Sequence, residues 1–325
     1  LKIEYLTRAS HSNTGTCNLS SLSVAVCVGK IVGVMCERVT KDEKNKDVAR
    51  KLFAIADALS KYALPSPEPN RVVVLEWLRC VERLCKFGVV KKDDTSRMLR
   101  DILRDDVVEL GFRPFSESAS WETQRVAIRC LENLIDVNAK LIVELELELE
   151  CVELFDRTVA RGVDMKDLER LLHKIMKVGV ESDSRRLYVW IALFEMCIRS
   201  SVRSSKSSKK TSSTGEDEED EDDEFVPSEL CGKNTFSSEE QERMRSVSER
   251  VWKRCGGSVY ASTKCVLLNL FVDLVRLERR DSENDSKILE RIVGIVTSAA
   301  QSSEEIVRVR SVRVLQSHHF FSSVH

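Results

Sequence analysis

The chain has 325 residues, of which 32% are charged, and its 51 basic and 53 acidic side chains leave a formal net charge of −2. This balance excludes the strongly basic surface of a nucleic-acid-binding protein, so no nucleic-acid partner is expected. Glycine (12), proline (5) and aromatic residues (6%) are scarce, which disfavours turn-rich β-sandwiches and barrels and favours helices.

Cysteines and apolar runs bear on the cellular location. Eleven cysteines are scattered without any C-x-x-C pair, which predicts buried thiols in a reducing compartment rather than disulfides or a zinc site. The apolar run 24–35 is too short to span a bilayer, and its Gly29-x-x-x-Gly33 spacing is a weak match to a membrane motif. No transmembrane segment is predicted, and the protein is expected to be cytoplasmic. Because the first residue is Leu1 rather than Met, the sequence is expected to be a fragment.

In chain order, residues 1–16 are polar and unpatterned and are expected to form a disordered end. Over residues 17–199, apolar side chains recur at spacings of three, four and seven, the pattern of amphipathic helices. This part is predicted to be a series of N-terminal helical repeats. The predicted helices are 19–39 (one helix or a pair), 47–62, 71–86, 93–110, 121–135, 139–160, 164–178 and 185–198.

The segment 139–160 is ambiguous because Leu and Glu alternate strictly between residues 145 and 150. Strict alternation is typical of a strand. Leu and Glu are nevertheless strong helix formers, and Leu141, Leu145 and Leu149 share one helical face. A helix is therefore preferred.

Residues 200–236 differ in composition from what precedes them. A Ser/Lys run passes into nine consecutive acidic residues at 216–224. Such a segment buries too little apolar surface to offset its ordering entropy and is predicted to be a disordered loop. Ser213 and Thr214 each have an acidic residue three positions on, a setting for phosphorylation by an acid-directed kinase. A solvated loop without regulation is the favoured alternative.

Helical repeats resume over 237–310, with helices at 238–255, 263–278 and 286–300, and an irregular tail follows over 311–325. Each amphipathic helix has one apolar face that it cannot cover alone, whereas many such helices stacked side by side build a continuous core. The predicted fold is therefore all-α, an armadillo/HEAT-like right-handed helical solenoid.

Motifs of covalent catalysis and cofactor binding are absent from the sequence. It contains no P-loop, GxGxxG, GxSxG or HExxH, and its five histidines lack metal-ligand spacing. No catalytic residue, metal or cofactor is predicted, and the protein is expected not to be an enzyme. Arg79, Arg83 and Lys86 do line up along one helix at spacings of four and three. They form either a solvated stripe or a docking strip for a carboxylate or an acidic peptide, which arginine recognises through paired hydrogen bonds.

Several segments follow the element order of a known family. The run TQRVAIRCLENLIDVN looks like part of an armadillo repeat, and residues 58–86 resemble the early repeats of synembryns. These are armadillo-type exchange factors and folding chaperones for G-protein α subunits. A helix, a proline-bearing turn and a Trp-Leu-containing helix follow in that order. Residues 127–134 resemble the family's L-x-x-L-C-N-L helix, with Asn133 in the matching place, and 238–255 resembles its Ser-x-Glu-led helix.

The resemblance implies a guanine nucleotide exchange factor and chaperone that binds the C-terminal helix of a G-protein α subunit on a concave helical-repeat surface. Lys86 and Asn133 match polar groups of that groove. Glu82 stands where the family tends to have an arginine, which leaves the carboxylate-binding role to Arg79 or Arg83. The implied location is cytoplasmic, with peripheral membrane association through the partner. The alternative is a generic HEAT/armadillo interaction scaffold, such as a subunit of a chromatin or trafficking complex, that binds another protein or peptide.

Overall fold

The computed structural model describes residues 19–39, 45–63, 71–103, 118–160, 165–207, 237–254, 259–278 and 285–317. Within these ranges the chain forms thirteen α-helices and no β-strand, which confirms the all-α prediction for this part of the chain. Three predicted segments lie wholly or partly outside the described residues. They are the disordered end (1–16), residues 208–236 of the loop, which include Ser213 and Thr214, and residues 318–325 of the tail.

The thirteen helices of these ranges are numbered in chain order. They are α1 (Leu19–Val39), α2 (Lys46–Ala63), α3 (Arg71–Lys86), α4 (Lys92–Ile102), α5 (Ser118–Val137), α6 (Leu141–Glu144), α7 (Leu147–Ala160), α8 (Lys166–Ser182), α9 (Arg186–Ser207), α10 (Ser238–Arg254), α11 (Ala261–Glu278), α12 (Asp285–Ala299) and α13 (Glu305–Gln316). They fall into two compact units, the first ending at Leu145 and the second beginning at Glu146.

Helix α3 is central to the first unit. It packs against α1, α2 and α5, while α4 packs against α5. Its apolar residues Trp77, Leu78, Val81 and Leu84 are fully buried, as the spacing of three and four predicts. Because α3 touches three other helices, it holds the first unit together.

The end of α3 is set by a glycine. Gly88 has φ of +70°, a left-handed conformation that residues with a Cβ rarely adopt. The Gly88 N–H donates to the Cys85 carbonyl at 3.0 Å, and the Val89 N–H donates to the Leu84 carbonyl at 3.4 Å. This pair of bonds is the Schellman motif, which satisfies carbonyls at the helix end.

In the second unit, α9 lies among α8, α10, α11 and α12. The five apolar residues whose helical spacing the sequence shows are buried, namely Leu187, Trp190, Ile191, Phe194 and Ile198. The ring centroids of Phe194 and Phe271 lie 4.1 Å apart, which joins α9 to α11. A helix with buried residues on so wide a face is expected to be surrounded by neighbours.

The single helix predicted over 139–160 is interrupted. The helix breaks at Leu145 and Glu146, and Glu146 has φ of +50°. The Glu146 carboxylate accepts a hydrogen bond from Arg250 Nη2 of α10 at 2.9 Å. The prediction of a helix rather than a strand is confirmed on both sides of the break. The prediction of one uninterrupted helix is wrong, because Glu146 is held by Arg250, a residue far away in the sequence.

Two predicted boundaries lie too early. Helix α9 continues to Ser207, past residue 199, because the sequence there has no glycine or proline to end it. Helix α13 continues to Gln316, although an irregular tail was predicted from residue 311. In α13, Val307, Ser311 and Val314 share a buried face, and a serine within this face interrupts the apolar pattern that marks a helix in the sequence.

Candidate functional site

A groove of about 900 Å³ opens on the first unit, between α1, α3 and α5. Nine of its twelve lining residues are charged, five of them basic and four acidic. The lining residues are Lys30, Gly33, Val34 and Glu37 of α1, Glu76, Arg79, Glu82 and Arg83 of α3, and Glu122, Arg125, Val126 and Arg129 of α5.

Two glycines let α1 approach α3 closely along this groove. A Cβ placed on Gly29 would lie 2.8 Å from the Cβ of Glu76, and one on Gly33 would lie 3.3 Å from Arg83 Nη1. Real Cβ atoms do not come as close as the first of these distances, so a side chain at Gly29 would force the helices apart. The G-x-x-x-G spacing therefore serves close packing of two helices within this unit.

Arg79 joins α3 to α5. Its Nη1 donates to Glu76 Oε1 at 2.7 Å, and its Nη2 donates to Glu122 of α5. Burial lowers the pKa of Arg79, but the hydrogen bonds and negative charges of Glu122 and Glu76 outweigh this effect and raise it overall. The guanidinium therefore stays charged and fixed in the wall of the groove.

Arg83 joins α3 to α1 in the same way. Its Nη1 donates to the carbonyl of Gly33, which is accessible because Gly33 has no side chain, and its Nη2 lies 3.7 Å from Glu37 Oε2. The structure thus places both arginines of the predicted docking strip in the groove lining.

Lys86 and Asn133 lie beside the groove rather than in its lining. Lys86 Nζ lies 3.2 Å from Glu82 Oε1, and Lys86 is largely exposed. Asn133 Nδ2 donates to the backbone carbonyl of Glu82 at 3.4 Å and so ties α5 to α3. Of the four predicted partner-binding residues, Arg79 and Arg83 face the groove, and Asn133 has a structural bond next to it.

Sequence reasoning did not identify the α5 wall of the groove. Glu122, Arg125 and Arg129 follow a spacing of three and four on one face of α5. Arg129 Nη1 lies 3.8 Å from Glu82 Oε1, across the groove on α3. This spacing was visible in the sequence, but only the packing of α5 on α3 shows that it faces the arginine strip.

A metal site and a membrane-spanning helix are both absent from the residues that the structure describes. In those ranges no three His, Cys, Asp or Glu side chains are grouped so that they could hold a metal ion. None of the helices described is both long enough and apolar enough to cross a membrane.

Comparison of the chain with protein-family models, with curated proteins and with solved structures gives no match. The groove between α1, α3 and α5 is the feature from which a function can be inferred.

Proposed function

We propose that the groove between α1, α3 and α5 binds a segment of another protein, so that the chain works as an interaction module without covalent chemistry. The observation that carries this proposal is the charged lining of an open groove of about 900 Å³. Small-molecule sites are lined mainly by apolar and aromatic side chains with a few polar groups. A lining with charges of both signs instead suits the backbone and charged side chains of a polypeptide.

The groove offers cations in a fixed arrangement. Arg79 is held by partners on α3 and α5, and Arg83 is held by Gly33 of α1, so both arginines would lose little side-chain freedom when a ligand binds. Arg125 and Arg129 are exposed on the opposite wall. Arginine recognises carboxylates through two parallel hydrogen bonds, so we propose that the bound segment carries acidic side chains or a terminal carboxylate.

We further propose that the helices form an armadillo/HEAT-like right-handed solenoid. The packing of the first unit supports this idea, because α3 lies against both α1 and α5 while α2 packs on α1 and α3. Alternate helices of a stacked array are expected to be neighbours in this way.

The more specific candidate is a guanine nucleotide exchange factor and folding chaperone for G-protein α subunits. The resemblance to synembryns supports it, and so does the position of Arg79 and Arg83 in the groove, since those residues could take the role of the arginine that Glu82 replaces. The C-terminal helix of the α subunit would then occupy the groove. The chain itself would be a cytoplasmic protein that reaches the membrane through this partner.

Charge reversal on one wall tests groove binding. We expect Arg125→Glu/Arg129→Glu to abolish capture of the partner that the wild-type chain captures from a lysate, because both side chains would then repel carboxylates. Arg100→Glu is the matched control, since Arg100 is exposed on α4 and does not line the groove. Cross-linking through Lys30 should place the partner on the groove. Equal capture by both variants would contradict the proposal.

Exchange activity is tested with a purified G-protein α subunit loaded with fluorescent GDP. We expect the wild-type chain to accelerate nucleotide release and the Arg125→Glu/Arg129→Glu variant to lose this effect. If the α subunit neither binds nor releases nucleotide faster, the exchange function is wrong and the scaffold function remains.

A further inference from the structure

One face of α1 is apolar and exposed. Ile31, Val34 and Met35 have 54%, 51% and 43% of their surface exposed, and Cys27, one turn before Ile31, is exposed as well. We call these four residues the α1 seam. Helix α1 packs on α2 and α3, but no part of the chain that the structure describes covers the seam.

The spacing of the α1 seam is that of a helix-packing face. Cys27, Ile31 and Val34 follow one another at intervals of four and three, and Arg38 lies a further four positions on. At this spacing the side chains of one helix interlock with those of a second helix. From Cys27 to Arg38 the helix rises by about 16 Å, which is three turns. The seam therefore fits a helix rather than an extended strand.

The α1 seam adjoins the groove between α1, α3 and α5. Val34 belongs to both, because it lines the groove together with Lys30 and Glu37. Around the axis of α1, Lys30 and Glu37 lie on one side of Val34, and Ile31 and Met35 lie on the other. A helix laid along Val34 would therefore touch the seam with one side and face the charged groove with the other.

The charges beside the α1 seam favour an acidic partner. All four acidic residues of the groove lining are already ion-paired with an arginine of the lining, namely Glu37, Glu76, Glu82 and Glu122. Lys30 and Arg38 are exposed next to the seam and add positive charge there. Carboxylates on a bound helix would therefore meet cations, whereas a basic helix would be repelled.

We propose, on the basis of the groove function, that the α1 seam and the groove together bind one acidic amphipathic helix of another protein. Apolar side chains of that helix, at intervals of four and three, lie on Ile31, Val34 and Met35. Its Asp and Glu side chains, beside this apolar stripe, face Lys30 and the groove arginines.

A second copy of this chain is a poorer occupant of the α1 seam. Three half-exposed apolar side chains and one cysteine offer much less surface than the roughly 800 Å² per partner that a stable protein interface buries. The seam therefore adds contact to a partner that also occupies the groove and does not by itself hold two copies together.

Binding of designed peptides to the full chain tests this inference. The probe is a fluorescein-labelled peptide of about twenty residues, with leucines at intervals of four and three and glutamates beside them. One control peptide has the leucines moved off this spacing, and another has lysine in place of glutamate. Fluorescence anisotropy should show that the probe binds and that each control binds at least roughly tenfold more weakly. No binding of the probe, or equal binding of a control, would overturn the inference.

Substitutions on the chain locate the bound probe. Ile31→Ser/Met35→Ser should weaken binding roughly tenfold, because two exposed apolar side chains no longer contact the leucines. Ile306→Ser/Val309→Ser is the matched control and should leave binding unchanged, since these side chains are 57% and 44% exposed on α13 of the second unit. Unchanged binding to the first variant would place the helix elsewhere and overturn the inference.

Photo-cross-linking to the wild-type chain gives a measurement that does not depend on how the variants fold. A benzophenone in place of one leucine of the probe should label residues 31–38, which trypsin releases by cleaving after Lys30 and Arg38. Labelling confined to other peptides would contradict the proposed position of the helix.

The same probe separates the α1 seam from the groove. If Arg125→Glu/Arg129→Glu abolishes binding of the probe while Ile31→Ser/Met35→Ser leaves it unchanged, the groove function stands and the seam has no part in it. If neither variant affects binding, both proposals are wrong for this ligand. A dimer in analytical ultracentrifugation that Ile31→Ser/Met35→Ser dissociates would assign the seam to a second copy and would likewise overturn the inference.

Discussion

Arginine–glutamate pairs have opposite surroundings in the two units. In the first unit, the side chains of Arg79 and Glu122 are 30% and 50% exposed at the edge of an open groove. In the second, Arg186 Nε lies 3.1 Å from Glu148 Oε1, with side chains only 3% and 0% exposed. Water weakens the first interaction, while the second pair has lost its hydration and depends on its partner. The same residue types therefore line an open groove in the first unit and form a buried ion pair in the second.

The largest effect should come from breaking the internal tie. At pH 8, Arg186→Met should lower the free energy of unfolding by about 3–5 kcal/mol, because Glu148 would be left buried without its cation. Urea unfolding measures this loss. Arg185→Met is the control. Arg185 precedes Arg186 in the sequence but is exposed, so removing its charge should leave the unfolding midpoint nearly unchanged. Equal losses for the two variants would show that burial of the pair does not decide the size of the effect.

Glu148 should also make stability depend on pH. Burial raises the pKa of Glu148 from 4.5 to about 7, against the opposing charge of Arg186. The folded state therefore holds a proton that the unfolded state releases between these values, and stability falls as pH rises through this window by at most roughly 3 kcal/mol.

Unfolding followed at several pH values between 4 and 8 checks this dependence. Glu148→Gln should flatten it, whereas Glu181→Gln, at an exposed position at the end of α8, should leave it as in the wild type. An unchanged slope in Glu148→Gln would show that another group titrates.

Glycine-to-alanine substitutions compare the groove wall with an open helix surface. Gly29→Ala should destabilise the protein by about 1–3 kcal/mol, because its Cβ would meet that of Glu76 at 2.8 Å and push α1 away from α3. Gly294→Ala should instead stabilise by about 0.5–1 kcal/mol, because Gly294 is exposed within α12 and a Cβ there meets nothing within 4 Å. Thermal melting of both variants decides the sign of each effect.

The smallest effect is expected at the groove itself. Arg79→Gln should lower the free energy of unfolding by no more than about 1 kcal/mol, because Glu122 is half exposed and water replaces its lost hydrogen bond, while the Gln amide can still donate to the buried Glu76 three residues before it. Chemical denaturation measures this change, with Arg50→Gln, which removes an exposed pair with Asp47, as the control. A loss as large as that of Arg186→Met would mean that the arginines of the groove serve stability rather than binding.

The helices could be predicted because their signal is local. The buried face of α9, from Leu187 to Ile198, follows directly from its spacing. The interruption at Glu146 could not be predicted in this way, because the carboxylate that accepts from Arg250 is separated from that arginine by more than a hundred residues of chain. The continuation of α13 beyond residue 310 was likewise not predicted, because Ser311 interrupts the apolar spacing of its buried face.

In the candidate site, too, the residues of one helix could be predicted and their partners on other helices could not. Arg79 and Arg83 stood out because they share one helix face, and both line the groove. Their partners Glu122 and Gly33 lie on other helices, and amphipathic spacing does not specify which helices are neighbours. The resemblance to synembryns implied a partner-binding role for Asn133. Its hydrogen bond to the Glu82 backbone depends on the packing of α5 on α3 and could not be predicted from spacing.

The left-handed backbone at Glu146 has a consequence of its own. A residue with a Cβ incurs about 1–2 kcal/mol of strain in this conformation, which glycine would avoid. The two hydrogen bonds from Arg250 offset this strain, so the local geometry is a compromise between torsional energy and charge pairing. Losing Arg250 would leave the strain without compensation, and the chain there would be free to relax.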